Sequence, residues 1–403
     1  MSLNLLEHVA FAYQPIWGVG RQLMGVRLRV RALHTDSVDA AHLLTLLANE
    51  WSDQSPTLVV SFADQALLRQ ALIVPPPNGF WLEIPDFGEL EPPGLVELLA
   101  RAHRLGHRLL QDAPLARARP WPATGQSEHR YLLHLWPEQV VQTQQAIARQ
   151  GQGSPVLAGQ LYRDLGTRAL VQHCLDNRQA WGVCGWPEDD VLRDHHRYGV
   201  PVDKRTLVRV QQALMREASM DVIEGLIHQD AVLTYRVLRL VNSPVFGATR
   251  QVTTVRQALM LLGQRRLSDW LLELMPGSSA DRELLPVRLA LVLRGRVMQA
   301  LMDAGVQHDL ATEIYLTGLF SRLDVLTQEP LAAALKRVPL SEPVAEALLR
   351  QSGPYAHYLD IACRLESFDQ VQRLPAVCET AGFPLDQVNG GLLRTLAQWR
   401  NSL

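Results

Sequence analysis

Two carboxylates in the first half of this 403-residue chain are candidate ligands for a divalent metal ion. Glu83 lies in the predicted strand 79–84, and Asp112 follows the predicted strand 108–110. Divalent cations prefer oxygen ligands, mostly carboxylates, and a metal-bound hydroxide can attack a phosphorus atom. Because two carboxylates are only a small part of the oxygen ligands that such a cation takes, we predict no bound metal and no cofactor.

Three arginines, Arg27, Arg29 and Arg31, alternate along the predicted strand 25–33. Alternate residues of a strand point to the same face, so the three guanidinium groups share one surface. A guanidinium can hold a phosphate through two parallel hydrogen bonds, so this row could contact an anionic ligand. The same row could instead form an ion-pair network or a partner surface, and the sequence leaves these alternatives open.

The elements that must position these residues alternate between strands and helices up to about residue 187. Apolar runs predict strands at 9–16, 25–33, 57–62, 79–84, 108–110, 131–135 and 155–157, with helical segments between most of them. Strands that alternate with helices pair in parallel through crossover connections, and this number of units is consistent with a barrel.

From about Val202 onward, apolar residues recur at helical spacing to the C-terminus. The predicted fold class is therefore α/β followed by all-α. We predict a barrel domain at 1–190, a linker at 191–204, where charged residues interrupt the apolar pattern, and a helical domain at 205–403.

The strongest local signals of the second half lie between residues 226 and 263. Asp230 is placed to cap a helix that begins at the next residue. Thr254 and Gln257 fit the capping box of a second helix, and Gly263 is suited to end it. The stretch is therefore predicted to form a helix, a turn and a helix.

The order of features in this stretch resembles the HDOD family of bacterial signalling proteins, which is related to the HD phosphohydrolases. Asp230 is followed by a leucine-rich helix, Asn-Ser at 242–243, Phe-Gly at 246–247 and an amphipathic helix. The resemblance implies a helical domain in the second half of the chain.

Metal-dependent HD enzymes need an adjacent His-Asp pair. By the resemblance, their Gly-Leu-Leu-His-Asp-Ile-Gly segment aligns with residues 318–324, where Ser321 and Arg322 replace the pair. A literal His308-Asp309 occurs, but it precedes a predicted helix at 310–320, for which Asp309 is the expected N-cap. The resemblance therefore implies a helical domain without HD catalysis.

The first half resembles the EAL domain of cyclic di-GMP phosphodiesterases, a modified TIM barrel that cleaves its dinucleotide with divalent metals. Tyr-Gln-Pro-Ile at 13–16 and Gly-Val at 25–26 correspond to the opening of that family. The naming Glu-Ala-Leu should follow, and Arg27-Leu28-Arg29 stands there instead. A cation-binding carboxylate is thus replaced by a positive charge.

By the same resemblance, the positions of the other family ligands can be followed along the chain. Glu83 and Asp112 retain a carboxylate, and Arg31 matches an arginine that contacts a ligand phosphate. The remaining vestigial positions have lost the family's residue, and they are Ser61, Ala113, His134, Trp136, Gly159 and Trp181. The resemblance therefore implies a degenerate EAL barrel without catalytic residues.

Net charge, cysteine spacing and hydropathy indicate which partners and which cellular location to expect. A formal net charge of -2 disfavours a dedicated nucleic-acid binder, although arginines near the helical pair leave DNA contact open. Cys174, Cys184, Cys363 and Cys378 lie far apart, which favours reduced thiols. The sequence contains no apolar run near the ~20 residues that span a bilayer. We therefore expect a cytoplasmic protein without membrane contact.

The leading hypothesis is a catalytically inactive regulatory or scaffold protein of bacterial signal transduction that acts through protein–protein contacts. Its partner is another protein or a second copy of the chain. The alternatives are a cyclic di-GMP receptor that uses Arg31 in the degenerate pocket, or a residual cyclic di-GMP phosphodiesterase.

Overall fold

The structure is a computed structural model that describes residues 5–34, 37–77, 79–87, 94–118, 129–246, 251–302 and 308–399. In these ranges the strands are β1 (Val9–Trp17), β2 (Leu23–Ala32), β3 (Thr57–Phe62), β4 (Phe80–Ile84), β5 (Arg108–Pro114), β6 (His129–His134), β7 (Leu161–Arg163) and β8 (Gly182–Cys184). The α-helices are α1 (Ala40–Glu50), α2 (Gln65–Ile73), α3 (Leu95–Arg104), α4 (Pro137–Ala148), α5 (Arg168–Gln172), α6 (Glu188–Leu192), α7 (Lys204–Met215), α8 (Met220–Ile227), α9 (Ala231–Val241), α10 (Val255–Leu274), α11 (Leu284–Ala300), α12 (His308–Phe320), α13 (Leu323–Thr327), α14 (Leu331–Leu335), α15 (Glu342–Arg350), α16 (Ala356–Leu365), α17 (Leu374–Ala381) and α18 (Leu385–Ala397). None of these helices is long and apolar enough to cross a membrane.

The chain forms two compact units, Met1–Asp190 with Cys363–Leu403, and Val191–Ala362. The predicted division at 205–403 therefore changes at its C-terminal end. The last segment joins the barrel because Asn389, which is fully buried, donates hydrogen bonds to the carbonyl oxygens of Leu6 at 2.8 Å and Val9 at 2.7 Å.

The predicted linker at 191–204 also differs from the structure, because its residues are part of the second unit. Val200 and Val202 are buried, and Val200 donates its backbone N–H to the carbonyl oxygen of Leu326 at 2.6 Å. The charged side chains that suggested a linker thus lie between buried apolar residues.

In the first unit, β1 to β8 close into a barrel in chain order, which confirms the predicted barrel. Strands β2 to β8 pair in parallel, but β1 is antiparallel to both of its neighbours, β2 and β8. The five residues from Gly18 to Gln22 connect β1 to β2, and a connection this short permits only an antiparallel pair.

The last two strands differ from the sequence prediction. Residues 155–157 do not form a strand, because both backbone groups of Leu157 bond to the hydroxyl of Tyr162, at 2.7 and 3.1 Å. Strand β7 begins four residues after Leu157, and β8 was not predicted. Gly159, which was aligned with a strand position, lies in the preceding turn with a φ of 71°.

Side chains from the strands fill the barrel interior. The cluster of buried residues consists of Ile16, Val59, Trp81, Leu110, Leu132, Leu161 and Cys184. A filled interior is the usual state of a barrel of this size, so a site for a ligand has to lie at one of its ends.

In the second unit, Asp230 caps α9 as predicted, by accepting hydrogen bonds from the backbone N–H groups of Val232 at 2.8 Å and Leu233 at 3.1 Å. The carboxylate also accepts from the backbone N–H of Asp203 at 2.7 Å and from Arg288 at 2.5 Å. Asp230 is fully buried, so one side chain joins three segments of this unit.

The ends of two other helices compare differently with prediction. Thr254 caps α10 by accepting from the N–H of Gln257 at 3.2 Å, and helical geometry is broken at Gly263, with a φ of 68°. The cap and the break are confirmed, but Oε1 of Gln257 accepts from the N–H of Thr253 at 3.1 Å, and α10 resumes beyond the glycine. Asp309 is not an N-cap, because α12 already begins at His308 and Asp309 lies in its first turn.

Helices α11 and α12 approach closely at two glycines. A Cβ atom built on Gly318 would lie 2.6 Å from the Cα atom of Gly295, a distance that real Cβ atoms do not adopt. The segment at 318–324 that aligns with the HD motif therefore has a packing role in this chain.

Candidate functional site

The carboxyl ends of strands β2 to β7 place polar side chains at one end of the barrel, which we call the barrel mouth. Most of the residues predicted from the EAL resemblance lie here, together with one that was not predicted. They are Arg27, Arg29 and Arg31 from β2, Ser61 from β3, Glu83 from β4, Asp112 and Ala113 from β5, His134 from β6 and Arg163 from β7.

Arg27 and Glu83 form a buried ion pair. Nε and Nη2 of Arg27 donate to the two carboxylate oxygens of Glu83 at 2.9 and 2.8 Å. Burial alone would raise the pKa of Glu83, but the charge and hydrogen bonds of Arg27 outweigh it and hold this pKa below its usual value. Glu83 is thus ionised and already bound to a cation of the protein.

Further polar groups complete the surroundings of this pair. The side-chain oxygen of Gln14 accepts a hydrogen bond from Nη1 of Arg27, and Ser61 accepts one from Nη1 of Arg29 at 2.9 Å. Cys184 lies beside Arg27, and burial raises the pKa of its thiol to about 12. The thiol therefore stays protonated near neutral pH and does not supply a nucleophile.

The second retained carboxylate also has a cationic partner. Nη2 of Arg163 lies 3.3 Å from each carboxylate oxygen of Asp112 and 3.4 Å from Nδ1 of His134. The Nε1–H of Trp136 donates to Nε2 of His134 at 3.2 Å. Burial raises the pKa of Asp112, and the nearby charge of Arg163 opposes this shift.

Sequence reasoning missed Arg163 because β7 was predicted six residues too early in the chain. The residue at the mouth end of β7 is Arg163, whereas the predicted position, Gly159, lies in the turn before the strand. Among the described residues, β2 and β7 thus each contribute an arginine that binds a retained carboxylate, Glu83 and Asp112 respectively.

The C-terminal segment covers part of the barrel mouth. The ring of Phe368 lies 5.0 Å from the guanidinium carbon of Arg27 and 6.0 Å from that of Arg29. A cavity of about 250 Å³ remains beside the ring, and Arg29 and Arg31 contribute to its wall. No local pattern in the sequence indicates that Phe368 returns to β2.

Trp181 lies at the opposite end of the barrel from the mouth, directly before β8. Its ring is 5.1 Å from that of Trp81, and the guanidinium of Arg130 lies 4.8 Å from the ring of Trp181. Arg130 also donates to the carbonyl oxygen of Gly159. The predicted positions Gly159 and Trp181 are therefore separate from the cluster around Glu83.

The two-cation centre that an EAL resemblance implies does not fit these residues. Glu83 and Asp112 are each bound by an arginine, and Arg27 carries a positive charge at the position of a family ligand. In the described part of the chain, no group of three or more His, Cys, Asp or Glu side chains could hold a metal ion. The arrangement can bind anions through Arg29 and Arg31, or present a fixed polar surface.

The vestigial HD positions of the second unit also lack metal ligands. The hydroxyl of Ser321 accepts a hydrogen bond from Arg294 at 2.7 Å and donates one to the carbonyl oxygen of Gly318 at 2.7 Å. Arg322 stands directly before α13. The hydroxyl of Ser321 thus links a side chain of α11 to the backbone of α12.

Comparison with known proteins supports the helical part of this description. Residues 200–324 match the family model of the HDOD domain. The HDOD domain predicted from Asp230 and the features that follow it is therefore confirmed over this segment.

Two curated proteins from bacteria resemble part of the chain. Cyclic di-GMP phosphodiesterase CdgJ of Vibrio cholerae is 28% identical over 173 residues, which are 42% of this chain and 39% of the relative. YuxH of Bacillus subtilis, named an uncharacterized protein, is 26% identical over 147 residues, which are 35% of each chain. The chain thus spans well under half the length of the curated relatives that it matches.

Among solved structures, the MmoQ response regulator of Methylococcus capsulatus matches 51% of this chain and 86% of its own, at 19% identity. The TM-score is 0.28, so this match does not define the fold of either unit.

Proposed function

We propose that this chain is a catalytically inactive regulatory protein of bacterial signal transduction, acting in the cytoplasm through contacts with another protein or a second copy of itself. Its barrel is a degenerate EAL domain joined to an HDOD domain. The observation that carries the proposal is the buried pair of Arg27 and Glu83, because a guanidinium occupies the place where a metal ligand would be needed.

The comparisons support a place in cyclic di-GMP signalling. An HDOD domain lies at residues 200–324, and one partial relative is named a cyclic di-GMP phosphodiesterase. The losses around Glu83 and Asp112 favour a role that keeps the domain architecture of such signalling proteins without hydrolysis of the dinucleotide.

The second candidate function is a receptor that still binds cyclic di-GMP. It is favoured by Arg29 and Arg31, whose side chains contribute to the cavity at the barrel mouth. Against it, this cavity of about 250 Å³ is smaller than the roughly 300–1,000 Å³ of most ligand pockets. Phe368 also covers the adjacent guanidinium groups, so we favour the regulatory role.

Calorimetric titration with cyclic di-GMP, with and without Mg²⁺ or Mn²⁺, separates these functions. We expect no saturable binding to the wild-type chain under any of these conditions, because the carboxylates are bound by arginines and Phe368 covers part of the mouth. Arg31→Ala is the matched variant, since Arg31 is exposed. Tight, metal-independent binding that Arg31→Ala weakens at least about tenfold, as the loss of a charged hydrogen-bond donor would, contradicts the proposal and supports the receptor.

A further inference from the structure

A groove lies beside the end of α9 in the second unit. It has a volume of about 640 Å³ and lies between Asn242 to Pro244 on one side and residues from α14, α15 and their connection on the other. Residues 332–349, which form the second wall, lie outside the segment that matches the HDOD family. The groove therefore combines residues of the matched HDOD segment with residues outside that match.

Hydrogen bonds hold the first wall in place. The amide of Asn242 donates to the carbonyl oxygens of Leu238 at 2.7 Å and Val252 at 2.8 Å, and its oxygen accepts from the N–H of Val252 at 2.9 Å. The hydroxyl of Ser243 donates to the carbonyl oxygen of Leu240 at 2.7 Å. Because these side chains are hydrogen-bonded within the unit, the first wall is held in place without a bound partner.

The second wall is apolar at its base and joined to α9. Leu335 and Val338 are buried, and the hydroxyl of Tyr235 in α9 donates to the carbonyl oxygen of Ala334 at 3.2 Å. At the open side, Leu349 is 46% exposed. A bound apolar side chain that packs against Leu349 and the base of the groove would remove this apolar surface from water.

The charged groups of the groove are all basic. Lys336 and Arg337 are exposed, and none of the residues that line the groove is an aspartate or glutamate. Arg337 pairs with Glu329 at 2.7 Å, outside the lining, whereas Lys336 forms no ion pair within the described part of the chain. Among the described residues, the groove thus has one cation without a carboxylate partner next to apolar surface.

A second cavity, of about 480 Å³, differs in this respect. Arg256 contributes to its wall, but it is bound there by the carboxylates of Asp221 and, at 3.1 Å, Glu224. The positive charge of Arg256 is neutralised by carboxylates that line the same cavity. This cavity therefore favours neither an anionic nor a cationic partner.

We propose that the groove between the end of α9 and the α14–α15 segment binds a short acidic peptide segment of a partner protein, with an apolar side chain next to carboxylates. The apolar side chain lies against Leu335 and Leu349, and a carboxylate pairs with Lys336. A peptide fits better than a small molecule because Leu349 and Lys336 lie at the exposed edge of the groove. The inference rests on the proposed function and specifies the contact through which it operates.

Selection of a displayed library of random short peptides on the full-length chain tests this proposal. We expect enrichment of sequences in which leucine, isoleucine, phenylalanine or tryptophan neighbours aspartate or glutamate. A synthetic peptide of this kind should bind at least about tenfold more weakly to Leu349→Asp and to Lys336→Glu, in line with the loss of one central interface contact.

The control is the pair of substitutions Met260→Asp and Arg266→Glu. Met260 is 62% exposed and Arg266 is exposed, and both lie on α10 outside the groove lining. These variants should bind the peptide as the wild type does. All of the changed residues have exposed side chains, so unchanged thermal unfolding checks that each variant is folded.

Two results would overturn the inference. One is a selection that enriches no sequences over the unselected library, or only sequences without aspartate and glutamate. The other is a selected peptide that binds Lys336→Glu and Leu349→Asp as tightly as the wild type. Either result would show that this groove is not the peptide-binding site. Neither result would bear on the proposal that the barrel is inactive, because that proposal is tested separately with cyclic di-GMP.

Discussion

Replacing Arg27 by alanine is expected to destabilise the barrel by about 3–5 kcal/mol, which is the usual cost of leaving one member of a buried ion pair without its partner. Glu83 is buried, and Arg27 supplies two of its hydrogen bonds. Hydrogen exchange, measured for the peptides that contain β2 and β4, should be at least about a hundredfold faster in the variant.

Two further variants separate the charge from the packing of this pair. The double variant Arg27→Met, Glu83→Leu removes both charges and should recover most of the lost stability, because an apolar pair of similar volume often replaces a buried ion pair without cost. Arg31→Ala, at an exposed position of the same strand, should change stability by no more than about 0.5 kcal/mol. Equal destabilisation by Arg31→Ala and Arg27→Ala would show that the buried ion pair does not account for the loss of stability.

The ion pair also predicts a dependence of stability on pH. The pKa of Glu83 is lowered in the folded protein, so its contribution is present above the unfolded value of about 4.3 and is lost as the pH falls through the folded value. In Arg27→Ala, burial without the cation raises this pKa instead. The variant should therefore lose stability as the pH rises from the acid range toward neutrality, opposite to the contribution of Glu83 in the wild type.

The second large effect is expected for Asp230→Ala in the second unit, which should lose at least about 3 kcal/mol. The substitution removes the N-cap of α9, a contribution of about 1 kcal/mol by itself. It also leaves the buried guanidinium of Arg288 without its carboxylate and the N–H of Asp203 without an acceptor. These losses occur in one place, so the whole unit should become less stable.

Hydrogen exchange of α9 in the full-length chain measures this loss directly. Asp230→Asn should lie between the wild type and Asp230→Ala, because its amide oxygen can still cap the helix but carries no charge for Arg288. Asp309→Ala is the matched control, since Asp309 is exposed in the first turn of α12 and should cost no more than about 0.5 kcal/mol. If Asp230→Ala exchanged at the wild-type rate, the central role of this carboxylate would be refuted.

The features that sequence analysis predicted well are those that depend on neighbouring residues. The caps at Asp230 and Thr254 and the break at Gly263 follow from side chains and backbone preferences within a single turn. Strand β3 was predicted at its observed bounds, because a continuous apolar run is a local property.

The features that were missed depend on contacts between distant parts of the chain. No strand forms at the predicted residues 155–157, where the hydroxyl of Tyr162 bonds to the backbone of Leu157. Because β7 lies six residues later than predicted, Arg163 was not recognised as a residue of the barrel mouth. The position of Phe368 over Arg27 involves residues more than three hundred positions apart. A single sequence contains no local signal for contacts of this kind.

The helical second half was predicted as one domain because its periodicity continues to the C-terminus. The structure instead places Cys363–Leu403 in the first unit, where Asn389 bonds to the backbone at the start of β1. Helical spacing identifies the buried face of a helix but not the element that covers that face. Periodicity therefore could not locate the boundary between the two units.

The central claim is that the barrel does not catalyse phosphodiester hydrolysis, and a turnover assay tests it most directly. The purified full-length chain is incubated with cyclic di-GMP and either Mg²⁺ or Mn²⁺, and the linear dinucleotide product is quantified. We predict no product above a protein-free control, because Glu83 and Asp112 are bound by Arg27 and Arg163. Metal-dependent turnover that is lost in Glu83→Gln would contradict the account.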